Sequence, residues 1–345
     1  MGFFQRREQA IHDPRGVTMV ELLVTISILL IILGFLLPVL VSARESARRA
    51  GCMNNLAQIG KAVNAYDSNQ GSLPGWRMSL PGYTDVTGNN VSWAITILPY
   101  LDAMDLYDWF RTQAAGVATL DDVRKKRLPR YACPTIVSEA KTLSPLSYMG
   151  NGGTGAEVIR ADGNQYRGDG VFLDNVGSGT YTALTHSLST IGARDGTSGT
   201  MMMTERAGMT APLTVSWADA PVAAVLNANA VATTHLILHP PALGVGATPP
   251  IDKRVINPSS TTTISAGADW NLRYPSSRHA SLACAVFCDG RTQSMSETIA
   301  PWVYCQILTS DRRTQSPRAA AWEVYPVSGA WVRYVFDEKD LNPKK

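Results

Sequence analysis

Between Val17 and Val41 the chain carries no charged residue except Glu21. That run is about 25 residues, or roughly 37 Å as a helix rising 1.5 Å per residue, enough to cross the hydrocarbon core of a bilayer. Its apolar residues, among them Ile26, Leu29, Ile32, Phe35 and Leu36, fall on every side of the helix. A helix on a soluble domain would keep a polar face. Pro38 removes one helical N–H and predicts a kink near the outer end. Beyond the run, Leu56, Ile59, Gly60, Val63 and Tyr66 recur at three- and four-residue spacing, with Asn54, Asn55, Gln58 and Lys61 on the other side. Turn formers and a proline at Asn69–Pro74 end the pattern. One helix of about 50 residues is predicted, and its amphipathic outer half needs a partner surface. An antiparallel sheet is the economical partner, so the class is α+β.

Trp93–Phe110 reads as helical with an interruption near Pro99, and Ala118–Leu128 as a short helix. From Pro129 the pattern changes to short apolar runs between glycine, asparagine and proline clusters. Tyr131–Cys133, Leu146–Met149, Gly170–Leu173 and Thr200–Thr204 are predicted strands. Ala207–Asn271 is rich in Ala, Pro, Thr and Gly with weak periodicity and reads as a loop-rich insertion. Leu282–Cys288 and Arg291–Met295 flank Asp289-Gly290, which predicts a hairpin with a type I′ turn. Trp331–Phe336 alternates as a late strand, and Asp337–Lys345 is a charged tail.

The net charge of +3 over 345 residues comes with dispersed lysines and arginines, so no nucleic-acid footprint is present. The single basic cluster, Arg124–Arg127, follows Asp121-Asp122 and reads as a solvated helix face. Arginines flank the apolar run on both sides, so counting positive charges leaves its orientation undecided. A secretory signal peptide has a shorter core with the cut behind it; here the one suitable cut lies in front. Five cysteines leave at least one without an intramolecular partner. Cys284 and Cys288 lie about 13 Å apart along a strand, too far to bridge. Cys52 with Cys133 is the pair to test first, against the alternative of five buried thiols.

The order Gly16-Val17-Thr18-Met19-Val20-Glu21 resembles the cleavage and N-methylation motif of type IV prepilins and type II secretion pseudopilins. Blocks further on resemble a bacterial prepilin-like family of unassigned function with an H-x9-D-G signature near its C-terminus. They are Cys52-Met53-Asn54-Asn55-Leu56, Leu98-Pro99-Tyr100-Leu101, Tyr131–Pro134, Ser147–Gly150, Asp195-Gly196-Thr197-Ser198 with Glu205, and His279 with Asp289-Gly290. Val17 stands where phenylalanine is usual, Asp102 where glutamate is, Gly199 where asparagine is, and Ala280-Ser281 where Pro-Gly is. The resemblance implies a pilin-like fold with a leader at 1–16, a membrane helix at 17–41, its amphipathic continuation at 42–70, an extracytoplasmic α+β domain at 71–315 and an extension at 316–345. It implies cleavage by prepilin peptidase between Gly16 and Val17, and N-methylation of Val17. The N-terminus would be cytoplasmic, in a single pass of the inner membrane, and like or related pilin-type subunits would be the partners.

A carboxylate deep in a bilayer costs about 2.5–3.5 kcal/mol on insertion scales, so Glu21 calls for a role. In a filament the α-amino group of Val17 from a neighbouring subunit would pair with it; in a lone anchor it would sit at headgroup level. A triad built on His279 and Asp289 lacks a nucleophile elbow, and no catalytic residue is assigned. Calcium held by Asp195, Glu205, Asp269, His279 and Asp289 is the metal reading the acids allow, without EF-hand spacing. His235 and His239 have zinc-ligand spacing but no third ligand in view. The expectation is no cofactor and a non-catalytic filament subunit. The alternative is a single-helix-anchored binding module for a solute, glycan or envelope protein, with Trp217, Trp270 and Trp302 near its loops; an exported enzyme would instead need His279 for its activity.

Overall fold

A computed structural model describes residues 16–82, 90–112, 123, 125–135, 144–153, 157–159, 165–167, 170–176, 183–206, 218, 236–237, 256, 275–299, 301–308 and 310. The chain divides into two units, Met1–Ala47 and Arg48–Lys345.

Helix α1 runs over Met19–Gln70, 52 residues, and is continuous through Pro38. It ends because Gly71 takes φ +72° and returns its N–H to Asp67 O at 2.8 Å. In the outer unit α1 buries Cys52, Leu56, Ile59, Gly60, Ala62, Val63 and Tyr66. Full burial of each Leu, Ile or Val contributes about 1.5–3 kcal/mol. The predicted polar side is not all solvated: Asn55 donates to Pro129 O, Ala132 O and Tyr148 Oη, and Gln58 accepts from Arg130.

The short strands β1 (Met78–Ser79) and β2 (Asn90–Val91) pair antiparallel. The interrupted helical stretch then resolves into α2 (Trp93–Thr96), a 3-10 turn at Leu98–Leu101 and α3 (Met104–Thr112). Asp102 between them sits at φ 54°, a left-handed conformation that aspartate tolerates better than most side chains. Strands β3 (Tyr148–Asn151), β4 (Glu157–Ile159), β5 (Gln165–Arg167), helix α4 (Leu188–Arg194), β6 (Met201–Glu205), β7 (Leu236–Ile237), β8 (Leu282–Phe287), β9 (Thr292–Ser296) and α5 (Pro301–Leu308) follow. β4 and β5 form their own antiparallel pair.

The main sheet has the order β7-β3-β6-β8-β9. It is antiparallel except at its edge, where β7 joins β3 in parallel. β6 is central and buried at all five positions, as expected of a strand covered on both faces. On one face α1 comes so close that a Cβ on Gly60 would stand 2.9 Å from Val286 Cγ2. On the other, Asn151 Nδ2 ties Met201 O to Leu308 O of α5.

Three expectations change. Tyr131–Cys133 is not a strand: Pro129–Tyr131 is a 3-10 turn, and Tyr131 Oη donates to Ala94 O. Gly170–Leu173 is not a strand either, since the N–H groups of Val171 and Phe172 both reach Asn151 O. The hairpin exists, but its turn is not type I′. Gly290 alone has positive φ (+86°); its N–H bonds Phe287 O while Phe287 N–H bonds Arg291 O. That is the three-residue loop with a G1 bulge at glycine. The leader up to Arg15, most of Ala118–Leu128 and of Ala207–Asn271, Trp331–Phe336 and the extension at 316–345 lie outside the described residues.

Candidate functional site

Helix α1 starts at a side-chain cap. Thr18 Oγ1 accepts from Glu21 N–H at 3.2 Å, and Thr18 O accepts from Leu22 N–H at 3.1 Å. Thr18-x-x-Glu21 is the spacing of a capping box, a helix-start signal that lies in the same residues as the prepilin-like motif and is hidden by it. Glu21 therefore occupies the first turn of α1, where the helix dipole favours an acid. Thr25 and Ser27 return their hydroxyls to Leu22 O and Leu23 O. From Val17 to Val41 every large apolar side chain is exposed, and the helix is long and apolar enough to cross a membrane. Among the described residues nothing lies within 4 Å of where a Cβ on Gly16 would stand. Packing does not require glycine there.

In the outer unit, four side chains from four elements converge. Cys52 comes from α1, Cys133 follows the 3-10 turn, Glu205 ends β6 and His279 lies in the loop before β8. Cys52 and Cys133 form a disulfide with Cα atoms 5.3 Å apart. His279 Nε2 is 3.3 Å from Cys52 Sγ, 3.7 Å from Cys133 Sγ and 3.7 Å from Glu205 Oε1. Glu205 Oε1 is 3.9 Å from Cys52 Sγ. None of the four is more than 2% exposed.

A second layer fixes their orientation. Ser277 Oγ donates to Glu205 Oε2 at 2.9 Å and accepts from His279 N–H at 3.0 Å. Ser147 Oγ accepts from Cys133 N–H, while Asn55 spans Ala132 O and Tyr148 Oη. Burial pushes the Glu205 carboxyl up to about 7, against the opposing pull of His279, Ser277 and the Cys284 N–H.

Motif blocks separated in sequence thus meet at one point: Cys52 and Asn55, Cys133, Ser147 and Tyr148, Glu205, and His279. The Asp289-Gly290 half of the signature lies elsewhere, at the hairpin turn. There Asp289 N–H bonds Thr197 O, and Arg291 Nη2 bonds Ser198 O of the Asp-Gly-Thr-Ser loop. Of the residues considered for calcium, Glu205 and His279 alone share the cluster among the described residues. Asp195 caps the C-terminal end of α4, Asp289 accepts from Arg291 N–H, and Asp269, His235 and His239 are outside the described residues.

Ser281, where the resemblance noted from the sequence would place glycine, takes φ +56°. A side chain in that region costs about 1–2 kcal/mol, partly offset by the extra freedom glycine gives the unfolded chain. Ser281→Gly is expected to stabilise by about 0.5–1 kcal/mol. A urea midpoint that rises at constant slope shows this; an unchanged or lower midpoint refutes it.

Residues 12–37 match the family model for the prokaryotic N-terminal methylation motif. The bilayer-length apolar helix fits a membrane anchor, and the motif match over it makes the chain a membrane-anchored protein of prepilin type. The chain belongs to the family described as a protein of unknown function (DUF1559), whose model matches residues 41–301. Comparison with curated proteins and with solved structures gives no match.

Proposed function

We propose that this chain is a non-catalytic prepilin-like subunit, cut by prepilin peptidase between Gly16 and Val17, methylated on Val17, and drawn from the inner membrane into a pilus-like or type II secretion-type filament. Its N-terminus lies on the cytoplasmic side, and residues 71–315 face the periplasm or exterior. The observation that carries this reading is the exposed apolar helix whose sole charge between Val17 and Val41, Glu21, stands in its first turn. The helix dipole returns about 0.3–1 kcal/mol to an acid there, and the insertion cost stays below the roughly 2.5–3.5 kcal/mol of a charge at mid-membrane. In a filament the new ammonium of Val17 in an adjoining subunit pairs with Glu21 where headgroup water no longer reaches it. The cut leaves Thr18 in place as the cap. An unpacked Gly16 fits a residue kept for recognition by the peptidase. His279, 2% exposed, is out of reach of a substrate, which argues against catalysis.

Glu21→Ala is expected to insert and lose its leader normally but to yield no crosslinked oligomers in membranes. Unchanged crosslinking would favour the lone tether. Mass spectrometry of the native N-terminus tests the processing separately: a mature chain that still begins at Met1 removes the prepilin reading.

A further inference from the structure

The geometry points to a second state of the buried cluster: with the disulfide reduced, Cys52, Cys133, Glu205 and His279 hold one zinc-class divalent ion, and the disulfide is the metal-free form of the same site. Two thiolates, an imidazole and a carboxylate are a donor set that suits tetrahedral zinc and does not suit calcium. In such a centre, bonds of about 2.0–2.3 Å place neighbouring donor atoms roughly 3.3–3.8 Å apart. Four edges of the tetrahedron already stand close to that span: Nε2 to each sulfur at 3.3 and 3.7 Å, Nε2 to Glu205 Oε1 at 3.7 Å, and Oε1 to Cys52 Sγ at 3.9 Å. The sulfur–sulfur edge is the one the covalent bond closes, and side-chain rotation after reduction opens it.

The surroundings are arranged as second-layer partners of a metal centre are. Ser277 Oγ and the Cys284 N–H occupy Glu205 Oε2, which leaves Oε1 turned toward the two sulfurs and the imidazole. In the oxidised form neither sulfur carries a proton, so that oxygen has no S–H donor in front of it. The chemistry balances. A dithiol reductant gives two electrons and two protons to the bond and leaves as its own disulfide. The ion then replaces the two thiol protons, and the carboxyl proton where one is held. Two thiolates and one carboxylate around a divalent cation leave a single net negative charge.

The test uses the full chain in detergent micelles, reduced without oxygen and titrated with cobalt(II) and then zinc. The expected result is one equivalent of cobalt with a sulfur-to-cobalt charge-transfer band and tetrahedral d–d bands, displaced by zinc; the oxidised chain takes up none. His279→Ala and Glu205→Gln are expected to weaken uptake by at least about 10-fold, Cys133→Ser to reduce the charge-transfer band by about half per bound cobalt, and Cys52→Ser with Cys133→Ser to abolish it. A reduced, folded chain that binds neither ion, or binds cobalt without the thiolate band, overturns the proposal. Where reduction unfolds the outer unit, stoichiometric zinc restores its circular dichroism if the proposal holds; failure to restore it is equally decisive against it.

Discussion

Asp174→Ala is expected to destabilise the outer unit by about 3–5 kcal/mol. Arg77 Nε donates to Asp174 Oδ1 at 2.9 Å and Nη2 to Oδ2 at 2.6 Å, a bidentate pair with side chains only 7% and 14% exposed. An exposed pair would contribute under about 1 kcal/mol, but here removal of the carboxylate takes the bidentate counter-charge from a buried guanidinium. The pair also joins backbone: Arg77 and Asp174 form a parallel bridge, Asn175 N–H bonds Arg77 O, and Trp76 N–H bonds Leu173 O. Asp174 Oδ1 further accepts from Val176 N–H at 3.1 Å. Urea unfolding of the full chain in detergent, followed by tryptophan fluorescence, measures the loss. Arg77→Met combined with Asp174→Leu should recover most of it, since paired apolar replacements leave no stranded charge. A single variant costing under 1 kcal/mol would show that water reaches the guanidinium and that the pair is a surface feature.

Helix α1 was legible in sequence because two independent patterns agree along it: an apolar run of bilayer length, then three- and four-residue spacing that ends at a glycine and a proline. The hairpin was legible for the same reason, through two β-prone runs around Asp-Gly. Its turn type was not, because the choice between two and three loop residues depends on whether Cys288 pairs, and Cys288 N–H instead bonds Thr200 O across the fold. Tyr131–Cys133 and Gly170–Leu173 misled because a short apolar run has no period long enough to separate a strand from irregular chain that is merely buried. What holds both in place is distant: Ala94 O for Tyr131 and Asn151 O for Val171 and Phe172.

The same physics divides the candidate site. The members of the cluster stood out in separate readings, Cys52 and Cys133 as a pair to test and Glu205 and His279 among the residues considered for calcium. Their meeting did not, since His279 reaches Cys52 across 227 positions and Cys133 across 146. Only the pairing of β6 with β8 and the seating of α1 on the sheet decide that separation. Asn55 shows the cost of reading one helix alone: placed by periodicity on the polar side, it links α1 to the segments that carry Cys133 and Tyr148.

Replacing both cysteines by serine, Cys52→Ser with Cys133→Ser, is expected to lower stability by about 4 kcal/mol. The bond closes a loop of sequence separation 81, and in the chain-entropy account such a loop restricts the unfolded chain by about 4–5 kcal/mol. Serine is chosen because the site can satisfy it: each hydroxyl has His279 Nε2 at hand, and the one at position 52 has Glu205 Oε1 as well. Local packing is then nearly preserved, and the change reports loop closure rather than a cavity. Because the effect lies in the unfolded state, the urea slope should steepen as the midpoint falls, in contrast to Asp174→Ala, which should move the midpoint at constant slope. Tryptophan fluorescence is again a suitable signal, since Trp93 is fully buried in the core that unfolds. A chelator is kept in both samples so that no ion stands in for the bond in any partly reduced wild-type chain. A loss below 1 kcal/mol with an unchanged slope would mean that the unfolded chain is held compact by other contacts, and that the bond adds little to the fold it crosses.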